Sequence, residues 1–368
     1  MIYLTVNDAP SGVYKSQVID VIETLNEYLD EPIQLIALVS VRNFSANKRK
    51  IKEWYPKATV MRMIPGLSNW KKNRYVLGLI RGIRTRSILA RGPMACWIAQ
   101  ELNKNVIYDG RGAVKAELKE FPEMIPDNKI VDSIIEAEKK AVIESVFRIA
   151  VSNKLVSYWQ NEFGYEGNNH VVIPCTLSNS VTSSQLIRAD SHSAPRLIYA
   201  GSTAGWQSFK KVKRYIEHWI QNQDAEVLFL SKLSPEIEEL ISKFPNQVSQ
   251  KWVDHKDVHN ELVWADYGIL IRDENVTNKV ASPVKFAEYL SAGLKVLISP
   301  HLGDFSALVT ELDLGYVVKE EDIDLLKVEL REKKRLQEVA QDRFSKKAHS
   351  DSFKYLTQFI LNTEKNNA

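Results

Sequence analysis

The stretch ILIRDENVTNKVASPVKFAEYLSAGLKVLIS, residues 269–299, decides the fold of this chain. It begins as an apolar strand that ends at Arg272, and a polar loop then runs to Ser282 and Pro283. Ser is a favourable N-cap and Pro is favourable in a first helical turn, so a helix is predicted to begin at this pair and to stop near Gly293. A second apolar strand follows. A strand, a helix and a strand in direct succession predict two parallel strands of a doubly wound α/β sheet.

The same stretch carries a candidate phosphate site. Lys285 lies in the first turn of the predicted helix, whose N-terminal N–H groups and dipole attract phosphate. Arg272, at the carboxyl end of the preceding strand, can bind an anion through two hydrogen bonds, and ligands of such sheets bind at the carboxyl ends of strands. Glu288 could accept hydrogen bonds from a ribose diol. The alternative is a surface ion pair between Lys285 and Glu288, which would contribute only about 0.2–0.5 kcal/mol.

The alternation of strands and helices extends over most of the chain in two series. A Ser-rich stretch after Cys175 separates them and is interpreted as a linker. We therefore predict two Rossmann-like domains, one over residues 1–175 together with a C-terminal helix over 350–368, and one over 176–349. The predicted strands are 2–6, 33–40, 58–64, 87–90, 105–110, 148–152 and 170–174 in the first series, and 196–202, 225–231, 267–272 and 295–299 in the second.

Composition excludes several classes of protein. Of the 368 residues, 44% are hydrophobic and 26% are charged, which is enough apolar material for two cores. With 15 Gly, 13 Pro and 2 Cys, collagen-like and disulfide-scaffold proteins are excluded, and the two cysteines lack zinc spacing. We expect no signal peptide at the start and no membrane span, because no run of about 18 apolar residues occurs. The expected location is the cytoplasm.

The charge is concentrated in one segment. Residues 42–91 contain fourteen Lys or Arg and a single acid, Glu53, so that this segment carries +13 in a chain of net charge +3. Within it, residues 69–86 are expected to form a helix with an apolar stripe and a cationic flank. A cationic amphipathic helix suits an anionic membrane surface, and the alternative is a helix that faces the core and has a solvated basic rim. The stripe is Val76, Leu79, Ile80 and Ile83, and the flank is Arg74, Arg81 and Arg84.

The residues SPVKFAEYLSAGLKVLIS, the strand and loop RLIYAGS (196–202) and the terminal helix resemble the GT-B glycosyltransferases, especially the retaining enzymes of family 4. The resemblance implies a GT-B fold, with two Rossmann-like domains that face a central cleft and a C-terminal helix that crosses back to the first domain. It assigns the acceptor to the first domain and the nucleotide-sugar donor to the second.

The resemblance also implies roles for individual residues. Glu288 would bind the ribose of the donor, and Arg272 and Lys285 would neutralise its diphosphate. Asp109 and Arg111 stand where related enzymes often have a His that contacts the donor sugar, and they are the candidate catalytic residues of the first domain, with Arg91 as a further candidate. The complete set of predicted donor-binding residues is Gly12, Gly201, Ser202, Arg272, Ser282, Pro283, Val284, Lys285 and Glu288.

Three departures from the family pattern stand out. The first Glu of the usual pair is missing, because Val280 takes its place. After the glycine that opens the second domain, Ser202 and Thr203 replace the usual Arg, and Gln207 lies near the position of the usual Lys. The first loop contains only Gly12 where related enzymes have paired glycines. Arg272 and Lys285 are therefore expected to take over the binding of the phosphates.

The predicted activity is transfer of a hexose from a nucleotide diphosphate sugar to an acceptor hydroxyl, with retention of configuration. The expected acceptor is a lipid-linked or cell-surface glycan intermediate, reached at the inner face of the membrane. No cofactor, metal or nucleic-acid partner is expected, since the DxD sequence at 322–324 reads as the acidic start of a helix. The alternatives are a sugar-nucleotide 2-epimerase of the same two-domain plan and a basic, non-enzymatic protein that binds nucleic acid or another anion.

Overall fold

The computed structural model describes residues 1–83, 87–102, 104–178, 192–201, 207–320 and 323–365. The chain divides into two compact units. Unit 1 is Met1–Pro174 with His349–Ala368, and unit 2 is Cys175–Ala348.

Each unit contains one parallel sheet. Unit 1 has seven strands in the order β3-β2-β1-β4-β5-β6-β7, and unit 2 has six in the order β10-β9-β8-β11-β12-β13. The strands are β1 Ile2–Val6, β2 Gln34–Val39, β3 Thr59–Arg62, β4 Ser87–Arg91, β5 Asn105–Asp109, β6 Phe147–Ala150, β7 His170–Val172, β8 Arg196–Ala200, β9 Glu226–Leu230, β10 Val248–Lys251, β11 Tyr267–Leu270, β12 Lys295–Ile298 and β13 Gly315–Val317.

Helices connect successive strands, as parallel pairing requires. They are α1 Gly12–Tyr14, α2 Asp20–Asn26, α3 Phe44–Trp54, α4 Leu77–Arg81, α5 Gly92–Gln100, α6 Val114–Glu120, α7 Asn128–Glu144, α8 Asn153–Phe163, α9 Phe209–Gln223, α10 Pro235–Lys243, α11 Val258–Leu262, α12 Val276–Lys279, α13 Val284–Ser291, α14 Phe305–Glu311, α15 Leu330–Phe344 and α16 Ser350–Lys365. A π-helical segment, Lys15–Ile19, joins α1 to α2, and Leu67–Val76 is a 3₁₀ helix before α4.

Both faces of each sheet are buried, which explains why the strands read as continuous apolar runs. In β8, Leu197 and Tyr199 join one hydrophobic core, whereas Ile198 and Ala200 join another. This alternation is the signature of a doubly wound sheet, and the predicted fold class is confirmed.

The C-terminal helix packs on unit 1, as predicted. In α16, Phe353, Leu356 and Ile360 are at most 1% exposed and join a core with residues of α2 and of β1 and β2. None of the helices in the described ranges is both long and apolar enough to cross a membrane.

The first helix, α1, begins at Gly12, where the Ser11 hydroxyl accepts a hydrogen bond from the Tyr14 N–H at 3.2 Å. One helix differs from its prediction. The helix expected over residues 69–86 is divided into a 3₁₀ helix up to Val76 and the short α4, and residues 84–86 lie outside the described ranges.

Candidate functional site

The candidate donor site of unit 2 lies where its strand order reverses. β8 pairs with β9 on one side and with β11 on the other. The connections from these two central strands therefore leave in opposite directions, and this is where doubly wound sheets bind ligands. Gly201 directly follows β8, and Arg272 lies two residues after β11. The fold thus brings two of the predicted site residues to one edge of the sheet.

Arg272 is a buried cation whose backbone is firmly held. Its side chain is 6% exposed. The Ser299 hydroxyl accepts a hydrogen bond from the Arg272 N–H at 2.7 Å and donates one to the Arg272 carbonyl oxygen, also at 2.7 Å. Within the described ranges, no carboxylate lies within ion-pair distance of the guanidinium, and its Nε has no hydrogen-bond partner. A buried charge without a counterion favours binding of an anion.

Lys285 reaches the same strand end. A Cβ atom added to Gly201 would lie 2.5 Å from Lys285 Nζ, so this glycine leaves the space into which the ammonium extends. The ammonium also lies 5.8 Å from the centre of the Tyr199 ring and donates to Gln207 Oε1 at 3.5 Å. The structure therefore brings Gly201 and Lys285 together, while Ser202 and Thr203 lie outside the described residues.

The pKa values of the two cations reflect this environment. Burial lowers the pKa of Lys285 to about 7, the charge of Arg272 acts in the same direction, and Glu288 opposes it. Burial also lowers the pKa of Arg272 to about 10. Both shifts mean that the protein alone stabilises these charges less well than water does. A bound diphosphate would supply the missing negative charge.

The start of α13 differs by one position from the prediction. The helix begins at Val284, Pro283 is its N-cap, and no side chain caps it. The expectation that Ser282 is the N-cap is wrong, because its hydroxyl instead accepts a hydrogen bond from the Cys175 N–H at 2.9 Å. Glu288 lies on the helix close enough to Lys285 to influence its pKa. Contact of Ser282, Pro283, Val284 and Glu288 with a donor stays a prediction.

Two residues that sequence reasoning missed support this site. Tyr289 is fully buried, and its hydroxyl accepts a hydrogen bond from the Ala200 N–H at 3.1 Å, which ties α13 to β8. The absence of a side chain at Gly268 makes room for this ring, since a Cβ there would lie 2.3 Å from Tyr289. Asn278 is also fully buried, and its Oδ1 accepts a hydrogen bond from Arg272 Nη1 at 3.2 Å. An asparagine in a polar loop signals only a turn, so the bond between Asn278 and Arg272 could not be predicted from the sequence.

An apolar platform lies on the same edge of the sheet, also unnoticed in the sequence. Trp252 directly follows β10 and is 65% exposed, and Leu233, three residues after β9, is 50% exposed. The Lys232 ammonium lies 5.4 Å from the centre of the Trp252 ring. Since β10 is two strands away from β8, this aromatic surface is about 10 Å from the end of β8, at the usual strand spacing.

In unit 1, the carboxyl ends of the central strands carry a buried ion cluster. The Asp109 carboxylate is fully buried and accepts a hydrogen bond from the Tyr3 hydroxyl. Arg91 Nη1 lies 3.4 Å from Asp109 Oδ2, and Arg111 Nε lies 2.8 Å from Asp109 Oδ1. Arg91 Nε also donates to Asp8 Oδ2 at 2.6 Å. Two arginines and two aspartates therefore balance one another where β1, β4 and β5 end.

This cluster limits what its members can do. Burial raises the pKa of the Tyr3 hydroxyl, and the neighbouring Asp109 adds to this effect. Burial alone would lower the pKa of Arg91, but Asp8, Tyr3 and Asp109 outweigh it and raise the pKa. Asp109 is fully buried, and its carboxylate orients Arg91 and Arg111. The catalytic roles predicted for Asp109 and Arg111 stay predictions.

Gly12, the predicted glycine of the first loop, is the first residue of α1 and does not have a positive φ. The backbone conformation therefore does not require glycine there, and its contact with a donor also stays a prediction.

The basic segment combines the two alternatives left open by the sequence. Val76 and Ile80 are fully buried, so half of the apolar stripe faces the core. Leu79 is 40% exposed, and Arg74 and Arg81 are exposed beside it. Arg84 lies outside the described residues. The surface is therefore cationic with an apolar side chain within it, and membrane docking stays a prediction.

A metal site is not evident in the described part of the chain, where no three His, Cys, Asp or Glu side chains cluster suitably. Asp322 of the DxD sequence lies outside that part. The expectation that no metal is needed is not tested by this observation.

Comparison with known proteins yields structural relatives only. No protein-family model matches the chain, and no curated protein matches its sequence. A sucrose-phosphate synthase from Thermosynechococcus elongatus is similar with a TM-score of 0.70 and 13% identity, over 98% of this chain and 99% of that one. A glycosyltransferase from Rickettsia africae ESF-5 is similar with a TM-score of 0.66 and 14% identity, over 98% of both chains.

A third relative is MnaA from S. aureus, whose structure was solved with UDP. It gives a TM-score of 0.54 and 13% identity, over 93% of this chain and 87% of that one. Identities this low establish the fold and leave the activity open. With its two tandem Rossmann-like domains, the chain has the GT-B fold.

Proposed function

We propose that this protein is a glycosyltransferase that moves a hexose from a nucleoside diphosphate sugar to an acceptor hydroxyl. The observation that carries the proposal is the pair of cations at the carboxyl ends of β8 and β11. Arg272 is buried and has no carboxylate partner among the described residues, and Lys285 has a pKa lowered by burial and by Arg272. A diphosphate supplies two negative charges and several acceptor oxygens, which is the complement that these cations lack.

The same cations would assist the reaction. The bond between the anomeric carbon and the leaving phosphate oxygen breaks, and negative charge develops on that phosphate. Arg272 and Lys285 are already in place to stabilise this charge, so little reorganisation is needed. We propose retention of configuration, with the acceptor oxygen bonding to the same face of the sugar and its proton passing to the departing phosphate. This outcome, like membership of family 4, rests on the resemblance of residues 282–299.

The rest of the nucleotide would extend along the sheet edge. Glu288 is proposed to accept hydrogen bonds from the ribose, and the exposed face of Trp252 offers a stacking surface for the base. Its distance of about 10 Å from β8 suits a base that is separated from the diphosphate by a ribose. The structure of MnaA with UDP makes uridine nucleotides the first probes to try.

Unit 1 is proposed to serve the acceptor and the transferred sugar. Arg111, held by Asp109, is the candidate donor of hydrogen bonds to hydroxyl or phosphate oxygens. The exposed Arg74 and Arg81 suit an anionic membrane surface, where a lipid-linked acceptor would be found. We therefore propose a lipid-linked or cell-surface glycan intermediate as acceptor and a peripheral association with the membrane. Neither the epimerase nor the non-enzymatic alternative is favoured by any feature of the described residues.

No metal is proposed for the donor site, because protein cations fill the role that a divalent ion plays at other diphosphate sites. Full activity in excess EDTA is the expected result. A strict requirement for added Mg²⁺ or Mn²⁺ would contradict this part of the proposal.

Thermal stabilisation by ligands tests the proposal directly. Inorganic pyrophosphate and the UDP, GDP, ADP and CMP sugars are compared; a ligand at 100 times its Kd adds about 2.7 kcal/mol to the stability. One diphosphate sugar should raise the melting temperature, and Lys285→Ala should abolish most of the shift. Lys279→Ala is the matched control, because Lys279 is exposed and paired with Glu274 at 2.7 Å. No stabilisation by any diphosphate, or equal losses in both variants, would refute the proposed site.

Flotation with vesicles tests the membrane proposal separately. Binding to vesicles that contain anionic lipid is expected, with loss in the double variant Arg74→Glu, Arg81→Glu. Neutral vesicles are the control. Binding that is the same on anionic and neutral vesicles, and that is unchanged by the double substitution, would count against docking.

A further inference from the structure

The side chain of Asn278 has an unusual place in unit 2, because it is the hydrogen-bond acceptor for a buried arginine. Its Oδ1 lies 3.2 Å from Arg272 Nη1, and both residues are at most 6% exposed. A buried arginine normally pairs with a carboxylate, which is the better acceptor and cancels the charge. Here the acceptor is a neutral amide.

The orientation of this amide is fixed by its other contacts. Asn278 Nδ2 donates to the Asp273 carbonyl oxygen at 3.1 Å, which leaves Oδ1 to face the guanidinium. The backbone of Asn278 is held as well, since its N–H donates to Asn275 Oδ1 at 2.8 Å and its carbonyl oxygen accepts from the Gly303 N–H at 3.2 Å. These bonds come from the residues just before Asn278 in the chain and from the loop after β12. The amide is therefore a rigid support.

We infer that Asn278 is a positioning residue for the diphosphate, which fixes the guanidinium of Arg272 while leaving its positive charge uncompensated. The inference rests on the proposed function, because it assigns the free charge to the donor. Ser299 clamps the backbone of Arg272, and Asn278 restrains the end of its side chain. The Arg272 Nε–H, which has no partner within the described ranges, remains for the ligand. An aspartate at position 278 would fit the same space but would neutralise the guanidinium.

The test compares Asn278→Asp with Asn275→Asp by calorimetric titration of inorganic pyrophosphate into the full-length protein. Both variants add one negative charge, Asn278→Asp within the short helix α12 and Asn275→Asp at its N-cap. At Asn275, the N-cap of that helix, aspartate caps as well as asparagine does. We expect Asn278→Asp to weaken pyrophosphate binding about tenfold or more, because the new carboxylate would neutralise the guanidinium to which pyrophosphate hydrogen-bonds. Asn275→Asp should stay within about twofold of the wild type.

A second pair of variants separates positioning from a purely structural role. Asn278→Ser keeps a neutral oxygen that is too short to reach the guanidinium, and should weaken binding about fivefold. In an Arg272→Gln background the same substitution should have no further effect, because the residue acts only through Arg272. These two variants still test the inference if Asn278→Asp does not fold.

The outcomes are distinct. If wild-type protein does not bind pyrophosphate or any nucleotide sugar, the proposed function and this inference both fall. If wild-type protein binds and Lys285→Ala does not, but the variants at Asn278 bind like the wild type, only the inference is overturned. It is also overturned if Asn278→Ser is as harmful without Arg272 as with it.

Discussion

Binding of the donor should depend on pH through Lys285. Its pKa is lowered to about 7 by burial and by Arg272, so above pH 7 most free protein molecules carry a neutral amine at this position. A bound diphosphate favours the ammonium and should restore a pKa near the ordinary 10.5. Binding is then coupled to the uptake of a proton above pH 7, and the affinity should fall as the pH rises.

The size of the expected change in affinity follows from the lowered pKa of Lys285. Above pH 7 the affinity should fall by up to tenfold per pH unit, and between pH 6.5 and pH 8.5 by roughly 25-fold. This is an upper bound, because Lys285 is partly exposed and solvent reduces the shift. The stability of the free protein depends on pH with the opposite sign. The unfolded chain binds the proton more tightly between pH 7 and 10.5, so the contribution of Lys285 to the stability of the empty protein rises with pH in this window.

The assay is calorimetric titration with the nucleotide sugar that stabilises the protein best. Its phosphates lack the second titrating proton of a terminal phosphate, whose pKa is about 6. Lys285→Arg keeps its charge throughout and should bind with little dependence on pH. His301→Gln is the control, because His301 Nε2 lies 3.2 Å from the Arg272 carbonyl oxygen, and this variant should preserve the wild-type slope. A flat wild-type profile, or a slope that disappears in His301→Gln, would refute the reasoning.

Three further substitutions have expected outcomes. Gly201→Ala should weaken binding of the diphosphate about tenfold with little change in melting temperature, because the atom closest to its Cβ would be the flexible end of Lys285, at 2.5 Å, with the Tyr199 ring farther away at 3.2 Å. Gly303→Ala should destabilise the protein by about 2–4 kcal/mol in thermal melts, since Gly303 has a φ of +53° and an added Cβ would lie 2.0 Å from a backbone oxygen. Asp109→Asn should lower the free energy of unfolding in urea by about 3–5 kcal/mol, because it removes the buried carboxylate facing Arg91. An unchanged melting temperature of Gly303→Ala, or an unchanged urea midpoint of Asp109→Asn, would contradict the argument made for that residue.

The fold could be predicted because the central strands are buried on both faces and therefore read as apolar runs. The strands that escaped prediction lie at the edges of the unit 2 sheet. β10 has the polar sequence VSQK, and β13 is only three residues long. An edge strand has one unpaired side and needs less apolar sequence, so its pattern is too weak to distinguish it from a loop.

The site was only partly predictable, because the sequence marks which groups carry charge but not what surrounds them. Arg272 and Lys285 stood out as cations at a strand end and at a helix start, and the fold brings them together. Ser282 failed as an N-cap because its hydroxyl is engaged by Cys175, 107 residues away in the chain. Asn278 went unnoticed because its proposed role depends on its surroundings: no carboxylate among the described residues lies near Arg272. A missing counterion has no local pattern in the sequence, yet the proposed affinity of the site for an anion rests on it.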